Sequence, residues 1–84
     1  MVTILYFAWL REHTGFAHED IKISNNIQTV GDIVGYLKLQ SDGHARALGD
    51  MEAVRVAVNR TYASIETKIA DGDEIAFFPP VTGG

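Results

Sequence analysis

The chain of 84 residues contains no cysteine, which excludes a disulfide framework, a thiol nucleophile and the cysteine-containing zinc sites. Any sulfur chemistry must therefore use sulfur brought in from outside. Basic residues are scarce: seven Lys and Arg stand against eleven Asp and Glu, for a net charge of -4. That balance argues against a nucleic-acid partner, because phosphate binding needs clustered cations, and suits a partner with a basic surface. No apolar run is long enough to span a membrane. Met1 to Leu10 is apolar, yet it lacks a basic start and a cleavage site and passes straight into Arg11-Glu12-His13, so it reads as a strand. Without cysteine or a leader, the expected compartment is the cytoplasm.

Several sources of chemistry are missing as well. There is no glycine-rich phosphate loop, since Gly31 and Gly35 fall inside a helix pattern. His13, His18 and His44 do not have the spacing of a zinc pair, so no metal is expected, and Asp71-Gly72-Asp73 lacks the further oxygen ligands of a calcium loop. Ser24, Ser41 and Ser64 have no nucleophile context, and Asp42, Asp50 and Glu52 form no acid-base pattern. Alone, the chain is expected to catalyse nothing.

What is present is an ordinary globular composition, 46% hydrophobic and 21% charged, in a length that fits one domain. Val2 to Ala8 is β-branched and aromatic with Thr3 as its one polar member, and suits a central strand. Leu10 to Thr14 makes a short turn or helical piece ended by Gly15. Ala17 to Ser24 alternates, with Ile21 and Ile23 on one face, as a hairpin partner would. Thr29 and Asp32 form a capping box before Val30, Ile33, Val34 and Leu37 at helical spacing, which predicts the main helix. Ser41 to Gly49 reads as a loop with at most one further helical turn. Val54, Val56 and Val58 alternate into a tight turn at Asn59-Arg60 and a short strand from Thr61 to Ser64. After the turn at Asp71-Gly72-Asp73 the last strand is Glu74 to Phe78. The order β-β-α-β-β-β predicts an α+β fold, a mixed sheet of about five strands packed by one main helix, which is the β-grasp arrangement.

Alternation in the last strand puts Ile75 and Phe77 in the core and Phe78 on the face away from the helix, with Tyr62 and Phe7. An aromatic cluster facing solvent on so small a domain points to a protein contact. A shifted phase, with all three rings in the core, is the alternative that the sequence leaves open. Both prolines are adjacent, Pro79-Pro80, and send the chain stiffly out of the sheet. The domain is thus expected over residues 1–80, and Val81, Thr82, Gly83 and Gly84 form a flexible tail. Two residues without Cβ can enter a channel that any side chain would block. The reactive group would be the α-carboxylate of Gly84; an incidental glycine pair is the other reading.

Leu5-Tyr6-Phe7-Ala8 with Arg11-Glu12, Ala57-Val58-Asn59, and the run from Asp71 through Phe77-Phe78-Pro79-Pro80-Val81-Thr82 to Gly83-Gly84 closely resemble the small subunit of molybdopterin synthase. The resemblance covers the whole length and is most specific in the last fourteen residues. It implies a ubiquitin-like sulfur carrier with no stably bound cofactor. In that family an adenylating enzyme related to the ubiquitin-activating enzymes uses ATP to activate the terminal glycine. A sulfurtransferase then supplies the sulfur of a C-terminal thiocarboxylate. A large subunit, as a dimer with one small subunit at each end, uses that sulfur to convert cyclic pyranopterin monophosphate to molybdopterin.

Carried over by resemblance, Gly84 holds the sulfur, Gly83 and Thr82 thread the channel, and Phe7, Tyr62 and Phe78 form the apolar docking surface. Arg11 adds a polar contact at the rim, and Pro79, Pro80 and Val81 contact the partner along the exit. Related chains often carry an aliphatic residue where this one has Tyr62, and Gln40 to Ala53 matches little. Carriers for thiamine thiazole synthesis or tRNA thiolation share the glycine pair but lack the Phe-Phe-Pro-Pro-Val-Thr lead. A β-grasp interaction module with glycines that are never activated is the alternative of another class.

Overall fold

A computed structural model describes residues 1–80. The five strands are β1 (Val2–Tyr6), β2 (His18–Ile21), β3 (Arg55–Val58), β4 (Thr61–Ala63) and β5 (Glu74–Phe78). They form one sheet in the order β2-β1-β5-β3-β4. β1 and β5 run parallel and every other neighbouring pair is antiparallel, so the sheet is mixed, as the alternating segments predicted. The middle position belongs to β5, with β1 beside it.

Three α-helices accompany the sheet: α1 (Trp9–Thr14), α2 (Val30–Lys38) and α3 (Asp42–Leu48), followed by a single 3-10 turn at Met51–Ala53. The main helix α2 begins where the capping box placed it. The Thr29 hydroxyl accepts from the Asp32 amide at 3.2 Å, while the Asp32 carboxylate accepts from the amides of Thr29 and Gln28. Two of the donors that a helix start leaves orphaned are thereby satisfied. Val30, Ile33, Val34 and Leu37 form the buried stripe of α2, packed on the strand residues Val2, Ile4, Val56, Ile75 and Phe77.

The segment from Ser41 to Gly49 departs from expectation. It is a two-turn helix, N-capped by Ser41, and it buries His44, Ala47 and Leu48. Gly43 lets this helix lie against α1, because a Cβ there would stand 2.0 Å from the His13 carbonyl oxygen. The first strand also ends at Tyr6, earlier than Ala8. There the chain turns sharply, with Ala8 at φ 55° and ψ -132°, into α1, which closes on Gly15 in the left-handed region. The Asn59-Arg60 turn has positive φ at both residues, the type I′ form that matches the twist of the flanking strands.

Candidate functional site

Strand register assigns every strand residue to a face. Leu5 pairs with Ala76, Ala76 with Ala57, Ala57 with Tyr62, and Arg55 with Phe78. These residues therefore share the sheet face opposite the helices. Phe7 continues β1 on the same side, and its amide donates to the Phe77 carbonyl at 3.1 Å. Phe77 is fully buried on the inner face, while Phe78 is half-buried on the outer one. The phase read from alternation holds, and the shifted one does not.

The structure brings Tyr62 and Phe78 together, with ring centroids 5.9 Å apart. Tyr62 is 74% exposed and Phe7 is 49% exposed. Together with Phe78 they leave aromatic area uncovered on the outer face of a small domain. Three residues of this face were given no contact role from the sequence: Leu5, Ala76 and Ala57 form the cross-strand row, or floor, that leads to Tyr62. Their signal was present in the same alternation, since each is opposite in phase to a core neighbour. Arg55 stands at the upper edge of the face, its guanidinium held by the carbonyls of Glu52 and Val54. Thr3, Asp20 and Glu74 lie towards the other end.

At the end of the sheet where β5 finishes, the parallel strand β1 finishes too. There α1 carries an open groove lined by Ala8, Trp9, Arg11, Glu12 and Gly15. Arg11 is exposed on this groove. Pro79 and Pro80 follow β5 at the same end and are half-buried. Val81, Thr82, Gly83 and Gly84, which carry the tail part of the expected site, lie outside the described residues.

The inner face hides a polar array that sequence reading missed. The buried His44 brings Nε2 to 2.7 Å from Glu19 Oε2, and the Tyr6 hydroxyl donates to that same oxygen at 2.8 Å. His44 Nδ1 lies 2.7 Å from the Ser41 hydroxyl. Burial first, and then the Glu19 carboxylate that its hydroxyl donates to, push the Tyr6 phenol well above its ordinary range. Serine, histidine and a carboxylate in a row suggest a nucleophile. However, Ser41 Oγ is committed as the α3 cap, accepting from the His44 amide at 3.1 Å. The array holds α3 to β2 and β1. His13 and His18 are exposed and not joined to it, and among the described residues no group of three His, Asp or Glu is placed to hold a metal.

Comparison with known proteins agrees with this geometry. The chain is 40% identical over 84 residues to the molybdopterin synthase sulfur carrier subunit of Escherichia coli (strain K12), with both chains covered in full. The protein of the same description from Haemophilus influenzae is 38% identical, again end to end. Among solved structures, the protein-protein complex of subunits 1 and 2 of the Helicobacter pylori 26695 molybdopterin-converting factor contains a chain that shares the fold. It has a TM-score of 0.68 at 24% identity, over 99% of this chain and 97% of that one. The ThiS family matches residues 4–84, from Ile4 in β1 through the glycines. With a ubiquitin-like β-grasp sheet, a bare outer face and that match over nearly its whole length, the chain belongs to the ThiS family.

Proposed function

We propose that the protein is the sulfur carrier of a molybdopterin synthase, with the outer sheet face as its docking surface and residues 81–84 as its donating arm. The observation that carries this reading is the end-to-end correspondence with two sulfur carrier subunits of that enzyme. The apolar outer face supports it, as does the exit of β5 beside α1, where a chain leaving through Pro79-Pro80 departs from the edge of the docking face.

The chemistry follows from the terminus. A carboxylate with a pKa of roughly 3.5 is an anion at neutral pH and a poor electrophile. Adenylation by an ATP-dependent partner enzyme, with release of pyrophosphate, gives the Gly84 carbonyl a leaving group, and sulfide-level sulfur delivered by a sulfurtransferase attacks that carbonyl and displaces AMP to leave a thiocarboxylate. That soft nucleophile then enters the large subunit's active site, where two rounds of sulfur donation, each from a fresh thiocarboxylate and each returning Gly84 as a carboxylate on hydrolysis, convert cyclic pyranopterin monophosphate to molybdopterin. In this scheme Phe7, Tyr62 and Phe78 supply buried apolar area and Arg11 a polar contact at its edge. Pro79, Pro80 and Val81 guide the arm, Thr82 and Gly83 thread the channel, and the carrier contributes a reagent but no catalytic side chain. The complex of subunits 1 and 2 from Helicobacter pylori provides a precedent for the pairing.

The test uses chemically thiocarboxylated protein with purified large subunit, which bypasses activation. Removing Gly84 withdraws the reacting group by about 3.5 Å, and adding one residue advances it as far, whereas reacting atoms must meet at roughly 3 to 3.5 Å. Both variants should lose sulfur transfer while their thermal stability and docking stay nearly constant. Normal turnover by either would overturn the reading.

A further inference from the structure

Ala8 occupies a backbone region that only glycine enters freely, at φ 55° and ψ -132°. Such a conformation persists only where the structure on both sides dictates it. On the strand side, Tyr6 is fixed three ways. Its ring stacks on Phe77 with centroids 6.2 Å apart, meets the His44 ring edge-on at 5.9 Å, and its hydroxyl donates to Glu19. On the helix side, Leu10 is buried, and α1 is pressed against α3 where Gly43 approaches the His13 carbonyl. Glu19 and His44 join the two sides. A closed loop of contacts therefore runs from β1 through β2, α3 and α1 back to Ala8. The residues flanking Ala8 are Phe7, on the docking face, and the α1 turn that bears Arg11 and the groove.

We propose that Ala8 is a strained pivot held by the Tyr6–Glu19–His44 hydrogen bonds, and that these four are positioning residues that preset Phe7 relative to Arg11 for the large subunit. This rests on the carrier reading above. Glycine at position 8 would remove the strain but also the constraint. The rigid carrier presents one surface, whereas a carrier with a free pivot must fix that angle on binding and so binds more weakly.

Ala8→Gly is expected to leave the melting temperature equal or higher, while weakening binding to purified large subunit by about fivefold, the order set by the freedom of one residue. Loss of stability without loss of affinity is what a merely structural role predicts, and it would overturn the proposal. Tyr6→Phe keeps the stacked ring but deletes the hydroxyl, and should weaken binding by a similar factor. The double variant should bind no more weakly than the worse single one, since both changes release one device. Glu19→Gln retains an oxygen acceptor for both donors and should bind within about twofold of the parent, which Glu19→Ala should not. In the free protein, the amides of Phe7 and Arg11, which donate to Phe77 and Ala8, should exchange faster in Ala8→Gly and Tyr6→Phe. Unchanged exchange in both would overturn the pivot whatever the binding result. A parent protein that fails to bind the large subunit overturns only the carrier reading, since the exchange measurement still judges the pivot.

Discussion

On the inner face of the sheet Val2, Ile4, Tyr6, Ile75 and Phe77 are buried almost completely beneath α2 and α3, and the polar groups there are paired among themselves. On the outer face, built from the alternate residues of the same strands, Phe7, Tyr62 and Phe78 stand wholly or partly in solvent over a floor of Leu5, Ala57 and Ala76. Both faces carry large apolar side chains, although the outer one also bears Thr3, Asp20, Arg55 and Glu74. What differs most is the cover: the described residues supply helices to one side and none to the other. An apolar face without an internal cover is stable only at small size, and it gains most when another protein covers it.

The adjacent residues Phe77 and Phe78 test this contrast most severely. Phe77→Ala should cost about 3 to 5 kcal/mol, because it opens a cavity in the middle of the core and removes the ring on which Tyr6 stacks. Chemical denaturation would read the loss, and the variant should still bind wherever it remains folded. Phe78→Asp should change stability by no more than about 1 kcal/mol yet weaken the complex with the large subunit by more than about 30-fold, since it places a charge in a contact that must lose its water. Equal losses of stability in the two variants would show that the outer face is part of the core.

The inner face of this fold was largely legible in the sequence, because its signals are local. Ile75 and Phe77 alternate with Phe78, Thr29 and Asp32 announce α2, and Asn59-Arg60 and Asp71-Gly72 punctuate the strands. What was not legible depended on residues distant in sequence. α3 looks like a loop because Gly43 breaks its pattern and its buried anchor is a histidine. His44 can be buried only because Glu19, 25 residues earlier, reaches it across the fold. Likewise the early end of β1 follows from the turn at Ala8, which no propensity foretells. Of the site, the aromatic rings and their face could be read from strand phase, but Ala57 and Ala76 of its floor carried too little side chain to attract notice. The tail residues 81–84 were read from their chemistry and lie outside the described residues.

An intermediate effect is expected where the cover of the inner face is assembled. Gly43→Ala places a methyl group 2.0 Å from the His13 carbonyl oxygen, so α3 must move away from α1. Overpacking of this kind costs roughly 1 to 3 kcal/mol. Exchange at the α1 and α3 amides should rise together in that variant, while the amides of β4, on the far edge of the sheet, keep their protection. A loss spread evenly over the sheet would mean that the helical flank is not a separate cover.

The smallest effect distinguishes the faces by acidity. The Asp32 carboxyl is held below the ordinary aspartate range, chiefly because it accepts from the Gln28 amide and further because of the Thr29 side chain and amide. A carboxyl that is more acidic in the folded chain than in the unfolded one stabilises the fold above its unfolded pKa, and that contribution disappears as pH falls through the folded value. Asp32 is exposed, so solvent screens the effect and its size is that of a helix cap at most. Acidification through the aspartate range should therefore lower the melting temperature of the parent slightly more than that of Asp32→Asn, which cannot titrate at this position. Because α2 covers only the inner face, the difference should appear in the amides of the first turn of α2 and not in those of Tyr62 or Phe78. A parent and variant with parallel pH profiles would remove Asp32 from the acid sensitivity of the fold, and a matching shift at Tyr62 would show that the two faces respond as one.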